Sequence, residues 1–124
     1  DASSTAKETD FMGMLVDVWP EGYAQRLIDG MVRARYREGM DKASLIEPGK
    51  VYAYTLDLWN TCQTFKKGHR IRLQIASSAF PKYDRNPQTG DNLARTTTLQ
   101  KAELRIYHDK DHPSHLILPV VPKK

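Results

Sequence analysis

The sequence predicts an all-β protein, an antiparallel sandwich or barrel of about seven short strands. Three observations carry this. Apolar residues recur with a period of two in one stretch after another. The stretches are separated by Pro- and Gly-containing turns every 8–12 residues or so, roughly the spacing of sandwich strands. The chain has 124 residues, 40% of them hydrophobic and 27% charged, which fits one globular domain with a core of its own.

The first ten residues, DASSTAKETD, are polar and show no strand pattern. FMGMLVDVW then sets Met12, Met14, Val16 and Val18 on one parity and Phe11, Leu15 and Trp19 on the other, with Gly13 and Asp17. Pro20-Glu21-Gly22 turns the chain into YAQRLIDG, and MVRARYR alternates Val32, Ala34 and Tyr36 against Arg33 and Arg35. REGMDKASLI, residues 37 to 46, is the one helix-like stretch, kept short by Gly39. Glu47-Pro48-Gly49 leads into VYAYTLDLW, where Tyr52, Tyr54, Leu56 and Leu58 oppose Val51, Ala53, Thr55 and Asp57. Lys67-Gly68 precedes HRIRLQIAS, with Ile71, Leu73 and Ile75 against Arg70, Arg72 and Gln74. AELRIYH sets Leu104 and Ile106 against Glu103 and Arg105, and after a turn from Asp109 to Pro113 the last strand, HLILPVV, offers Leu116, Leu118 and Val120. Pro fixes φ and Gly accepts positive φ, so these connections reverse the chain with little strain.

One face of each strand packs on a partner sheet, and the other meets solvent or another domain. Jelly-roll sandwiches have about eight strands, and nothing strand-like precedes FMGMLVDVW. The expectation is therefore a domain spanning residues 1–124, incomplete at its N-terminal edge, that forms the C-terminal part of a larger protein. An edge left unpaired in this way invites association.

Bulk properties narrow the function. The net charge of +4 is too small and too evenly spread to demand nucleic acid. No apolar run approaches the ~20 residues of a membrane helix, so no membrane partner is expected. The single cysteine, Cys62, excludes an internal disulfide and fixes no compartment. The start has neither a basic leader nor an apolar block, and residue 1 is not Met, which points to a processed chain or a piece of a longer one. There is no G-x-S-x-G elbow, P-loop, dinucleotide-binding glycine pattern, C-x-x-C or H-E-x-x-H. No catalytic residue and no cofactor is assigned.

Several clusters offer chemistry, each beside a plainer reading. His108, Asp109, Asp111, His112 and His115 supply metal-type donors within eight residues, yet they also read as a polar turn between strands, and no metal is assigned. Asp84 and Asn86 have a calcium-loop spacing, but Pro87 interrupts and no Glu closes the loop. The plainer reading is a turn in which Asp84 and Asn86 bond their own backbone and Gly90 is left-handed. Ser77 or Ser78 with Asp84 and His115 makes a triad only on paper, because geometry and not composition defines one. Arg33, Arg35, Arg37, Arg70 and Arg72 with Tyr36 and Tyr83 could serve single-stranded nucleic acid; the better reading is a polar sheet face with Asp17, Asp29, Asp57 and Glu103 as partners. Trp19, Trp59, Phe65 and Phe80 could stack on sugars, the basis of an alternative reading as a stand-alone carbohydrate-binding module, although such residues more often plug the ends of a β-core.

Three stretches carry a resemblance: TDFMGMLVDVWPEGYAQRLIDGMVRARYRE, residues 9 to 38; PGKVYAYTLDLWNTCQTFKKGHRIRLQIASSAFPKYDRNPQTG, residues 48 to 90; and IYHDKDHPSHLILPVVP, residues 106 to 122. Together they resemble the C-terminal domain of the X-prolyl dipeptidyl-peptidase and cocaine-esterase type serine hydrolases. The resemblance implies a jelly-roll β-sandwich similar to galactose-binding domains. It implies a partner, the α/β-hydrolase catalytic domain of the same parent, with contacts between copies as a further role. It also implies hydrolysis of X-Pro peptides, esters or related amides by that parent. The triad lies in the catalytic domain, so none of its residues is carried over. The loop from Phe80 to Asn92 is then expected to be a joint against the catalytic domain, with Phe80 and Pro81 as a buried anchor and Arg85 and Asn86 bonding across the seam.

Overall fold

Among the described residues there are five strands: β1 (Ala2–Ser4), β2 (Asp10–Val18), β3 (Ala24–Arg33), β4 (Arg70–Ala76) and β5 (Leu104–Ile106). A single turn of 3-10 helix, Ala34–Tyr36, follows β3. The computed structural model describes residues 1–122. The strands form two antiparallel sheets, β3-β2-β4 and β1-β5, an all-β sandwich of two layers.

β2 is the centre because both its faces are apolar. Phe11, Met12, Leu15, Val16 and Val18 are all buried. β3 and β4 pair with it on either side, Gly13 opposing Gly30 on one flank and Ile75 on the other. The register with β3 slips by one residue between Leu15 and Val16, which leaves Leu27 as an extra residue on β3. Such a bulge increases the local twist.

The second layer lies over the face of β2 that carries Phe11 and Gly13. Tyr54 stacks on Phe11 with ring centroids 4.5 Å apart. Leu56 and Leu58 reach the slot left by Gly13, and the Asp57 carbonyl sits directly over Gly30. The alternation read from VYAYTLDLW holds in space: Tyr52, Tyr54, Leu56 and Leu58 are half-buried, and Ala53, Thr55 and Asp57 are exposed. The segment forms no ladder beyond one bridge, Tyr52 to Ala2.

Several expectations are corrected. YAQRLIDG and the start of MVRARYR form one ten-residue strand, and the extended run stops at Arg33 where the 3-10 turn begins. Residues 37 to 46 form turns, not a helix; Gly39 has φ of +139°, a conformation incompatible with a helix interior. HLILPVV is extended and half-buried at Leu116 and Leu118, yet has no ladder partner among the described residues. The largest correction concerns the polar lead, whose Ala2–Ser4 is a strand paired with Leu104–Ile106.

That lead is also one of the most buried parts of the molecule. Ser4 is 1% exposed, and Glu8 and Thr9 are 0% exposed. Burial of such groups is tolerable only when they find partners. The Ser4 hydroxyl accepts the Ala6 amide at 3.0 Å, and the Ser3 hydroxyl lies 3.1 Å from that of Tyr107. Glu8 accepts the amides of Thr9 and Arg35 and the Arg35 guanidinium.

The Thr9 hydroxyl finds no partner among the described residues, and neither does the buried hydroxyl of Tyr54. Burial disfavours the phenolate and pushes its pKa from 10.0 up to about 12. A group whose pKa rises on folding adds stability below its unfolded value and loses it as pH climbs through the folded value. Wild-type stability should therefore fall between pH 10 and about 12. Tyr54→Phe should remove that part of the alkaline loss and leave stability at pH 7 unchanged or raised by up to about 1 kcal/mol, since an unpaired hydroxyl is removed. Urea titrations of both proteins across pH 7–12 check this, and a variant at least as alkali-sensitive as wild type would contradict it.

Candidate functional site

The loop that follows β4, residues 77–92, is held to the central sheet by side chains from three strands' worth of sequence. Asp29 on β3 receives the Lys82 ammonium at 2.5 Å and the Tyr83 hydroxyl at 3.4 Å, along with the Arg26 guanidinium. Asp10 at the start of β2 receives Nδ2 of Asn86 at 2.8 Å, and Nε and Nη2 of Arg33 at 2.9 and 3.0 Å. The bidentate Asp10 contact holds the Arg33 guanidinium above its ordinary pKa. Arg35 spans from buried Glu8 to the Gly90 carbonyl at 3.0 Å. Within the loop, the Asn86 side-chain oxygen accepts the Gln88 amide at 2.9 Å and Gly90 sits at φ +86°, as expected of those two residues, whereas the backbone bond expected of Asp84 is not formed among the described residues.

The four candidate joint residues divide. Asn86 is 7% exposed and spends its side chain on Asp10 and its own turn. Phe80 is 72% exposed. Pro81, joined to it by a cis peptide, and Arg85 are also exposed. Asn86 thus shapes the loop from behind while the other three face outward.

The remaining clusters resolve into structure. Asp109 accepts the amides of Asp111 and His112 at 3.0 and 2.8 Å and lies 3.2 Å from Nδ1 of His112, which closes the turn between His108 and Pro113. Those contacts hold the Asp109 carboxyl below its usual pKa, the His112 amide contributing most. No three His, Cys, Asp or Glu converge at metal distance among the described residues. His115 bonds the Pro113 carbonyl at 2.8 Å and reaches neither serine nor Asp84 by hydrogen bond. Arg33 and Arg35 are consumed by Asp10 and Glu8, and Arg37 donates to the carbonyls of Ala34 and Ser44. The carboxylate partners of Arg33 and Arg35 come from the polar lead instead of Asp17, Asp29, Asp57 or Glu103. Trp19 is packed edge-on against Tyr23 and against His69 at 5.2 Å, and Trp59 is 75% exposed.

One pair escaped the sequence reading. Nδ1 of His69 lies 2.9 and 3.0 Å from the two oxygens of Asp17, which also accepts Nε2 of Gln63 at 3.0 Å. Both side chains are nearly buried, at 8% and 2% exposure. This is half of a hydrolytic triad in geometry, but no hydroxyl or thiol bonds His69 among the described residues. The pair fastens residues 60–69 to β2. Only the position of His69 after a Gly68 turn hinted at it.

The site is therefore a set of internal ties that fix a loop on a β-sandwich. The chain belongs to the family of X-Pro dipeptidyl-peptidase C-terminal non-catalytic domains, which it matches over residues 1–117. It is 47% identical to the cocaine esterase of Rhodococcus sp. (strain MB1 Bresler) over 121 residues, 96% of this chain and 21% of that protein. Among solved structures, an aminopeptidase from the marine sediment archaeon Thaumarchaeota archaeon superposes with a TM-score of 0.86 at 36% identity, over 90% of this chain and 20% of that one. An α-amino acid ester hydrolase superposes with a TM-score of 0.80 at 32% identity, again over 90% and 20%. The chain thus spans about a fifth of the length of these relatives.

Proposed function

We propose that this domain packs against the catalytic domain of a serine hydrolase acting on ester or peptide bonds, and that the loop from Phe80 to Asn92 lies at the seam and helps wall the substrate pocket. The carrying observation is the division within the loop. Asn86, Lys82 and the Gly90 carbonyl are tied inward to Asp10, Asp29 and Arg35, while Phe80, Pro81 and Arg85 stand outward. A loop already ordered in the free domain loses little entropy on docking. Aromatic residues and arginine are enriched at protein interfaces. The relatives named as an esterase, an aminopeptidase and an ester hydrolase support this reaction class.

The test is assembly. The catalytic region co-expressed with wild-type domain should co-purify as one complex. Phe80→Ala and Arg85→Ala should each weaken association by about 2 kcal/mol, roughly thirtyfold in Kd, while leaving the domain's own unfolding midpoint unchanged. Asn86→Ala should do the reverse in part, lowering that midpoint because Asp10 loses a buried donor. Unchanged assembly in both Phe80→Ala and Arg85→Ala places the seam elsewhere.

A further inference from the structure

The outer face of the central sheet carries charge that the domain itself leaves unpaired. The second layer covers the face of β2 that bears Phe11 and Gly13, so the opposite face is that of Met12, Met14, Val16 and Val18. Residues directly opposed in an antiparallel ladder share a face. Val16 is flanked by Arg26 on β3 and Arg72 on β4, Val18 by Ala24 and Arg70, and Met14 by Asp29 and Gln74. Three arginines thus stand on one half of this face. Arg70 and Arg72 are about 7 Å apart along β4, and Arg26 lies about 10 Å away across two strand spacings.

These arginines differ in what they hold. Arg26 pairs with Asp29, the one carboxylate among the strand residues on this half of the face, and Asp29 also takes Lys82 and Tyr83. Arg70 and Arg72 are exposed and make no ion pair or side-chain hydrogen bond among the described residues. The nearest acidic position on β2, Asp17, belongs to the other face and is taken by His69 and Gln63. Two like charges one pleat apart repel each other in the free domain. β4 is also the edge of its sheet, and an edge that meets only water is commonly protected by lysine. Arginine is the cation that interfaces select, because its planar fork takes a carboxylate in bidentate fashion.

We propose that Arg70 and Arg72, with Arg26 beside them, form a carboxylate-binding face that docks onto an acidic patch of the parent hydrolase's catalytic domain. This rests on the packing of the two domains proposed above, and adds to it a second, electrostatic contact with its own residues. Two observations select this occupant. The first is continuity with the loop. Lys82, Tyr83 and Asn86 are fastened at Asp29 and Asp10, so the loop crosses the half of this same face that the arginines leave free. A partner seated on the loop is therefore a neighbour of the arginines. The second is charge. A few cations around one shared carboxylate match discrete carboxylates on a protein surface, whereas the extended charge of a nucleic acid calls for a longer basic track.

Arginine-selective labelling with phenylglyoxal, read residue by residue by mass spectrometry, tests this in the full encoded polypeptide against the 124-residue chain. Arg70 and Arg72 should react readily in the shorter chain and at least about 10-fold more slowly in the full protein, as expected for side chains buried at an interface. Arg70→Glu combined with Arg72→Glu should lower the melting midpoint of the full protein and leave that of the shorter chain unchanged. Arg70→Lys combined with Arg72→Lys should lower it less, because the charge remains and only the fork is lost. Equal labelling in the two proteins overturns the proposal, as does an equal fall in both midpoints, which would give the arginines a role inside the domain alone. Protection in the shorter chain that rises with its concentration assigns the face to a second copy and overturns it too. Arg85 keeps the two readings apart. If Arg85 is shielded in the full protein while Arg70 and Arg72 react, the seam stands and this face does not; if all three react, both fail.

Discussion

Gly30→Ala is expected to cost about 3 kcal/mol or more and to leave the domain largely unfolded at 37 °C. A Cβ at this position would sit 1.8 Å from the Asp57 carbonyl oxygen and 2.9 Å from its carbon. Both obstacles are backbone, so relief requires lifting residues 56–58 off the sheet and exposing Leu56 and Leu58. Gly13, directly opposite in the β2–β3 ladder, provides the control. Its Cβ would meet the Cδ2 ends of Leu58 and Leu56 at 3.1 and 3.2 Å and Cδ1 of Ile75 at 3.8 Å, all side-chain ends that can rotate away. Gly13→Ala should cost about 1 kcal/mol or less, since alanine also suits a strand better than glycine. Urea unfolding of the pair reads the contrast directly. Equal losses in the two variants would mean that the crossing segment is not seated on the Gly13–Gly30 slot.

Arg35→Met should be nearly as damaging. It removes the cation from Glu8, whose side chain is 0% exposed, and leaves an uncompensated buried charge. Breaking a buried pair from one side costs about 3–5 kcal/mol. The same change frees the Gly90 carbonyl, so the far end of the loop loses its anchor. Adding Glu8→Gln to Arg35→Met should recover at least about 1 kcal/mol, because the amide carries no charge and still accepts the Thr9 and Arg35 amides. Melting curves for the two singles and the double make a complete cycle. Strict additivity would show that Glu8 and Arg35 do not act as a pair.

These two predictions mark where sequence reasoning reached and where it stopped. The period-two pattern located β2, β4 and β5, and in residues 51–58 it identified the inward parity of Tyr52, Tyr54, Leu56 and Leu58 even though no ladder forms there. Alternation is a property of the extended backbone itself, so it survives whether or not a neighbouring strand is present. The turn at Asn86 and Gly90 was equally legible, because both effects are local. The polar lead was misread for the opposite reason. Ser4, Glu8, Thr9 and Asp10 look solvated by composition, and the burial of Glu8 and Asp10 depends on Arg35 and Arg33 more than twenty residues away. Of the proposed joint, Phe80 and Pro81, expected as a buried anchor, and Arg85, expected to bond across the seam, are exposed in this chain, and their docking stays a proposal. Asn86 alone turned inward, drawn by Asp10 at a separation of 76 residues.

The sequence by itself determined the β class, most of the turns and the family, because each is written in spacing or in contiguous motifs; it did not determine the packed face of β4, whose Ile71, Leu73 and Ile75 are exposed. Tertiary structure alone decided which charges are buried as pairs, why Gly13 and Gly30 face each other beneath a crossing chain, and that Asp17 belongs to His69. The physical reason is range. Backbone periodicity and turn conformation are set within a few residues, whereas desolvation and close packing depend on what the fold brings together from distant parts of the chain.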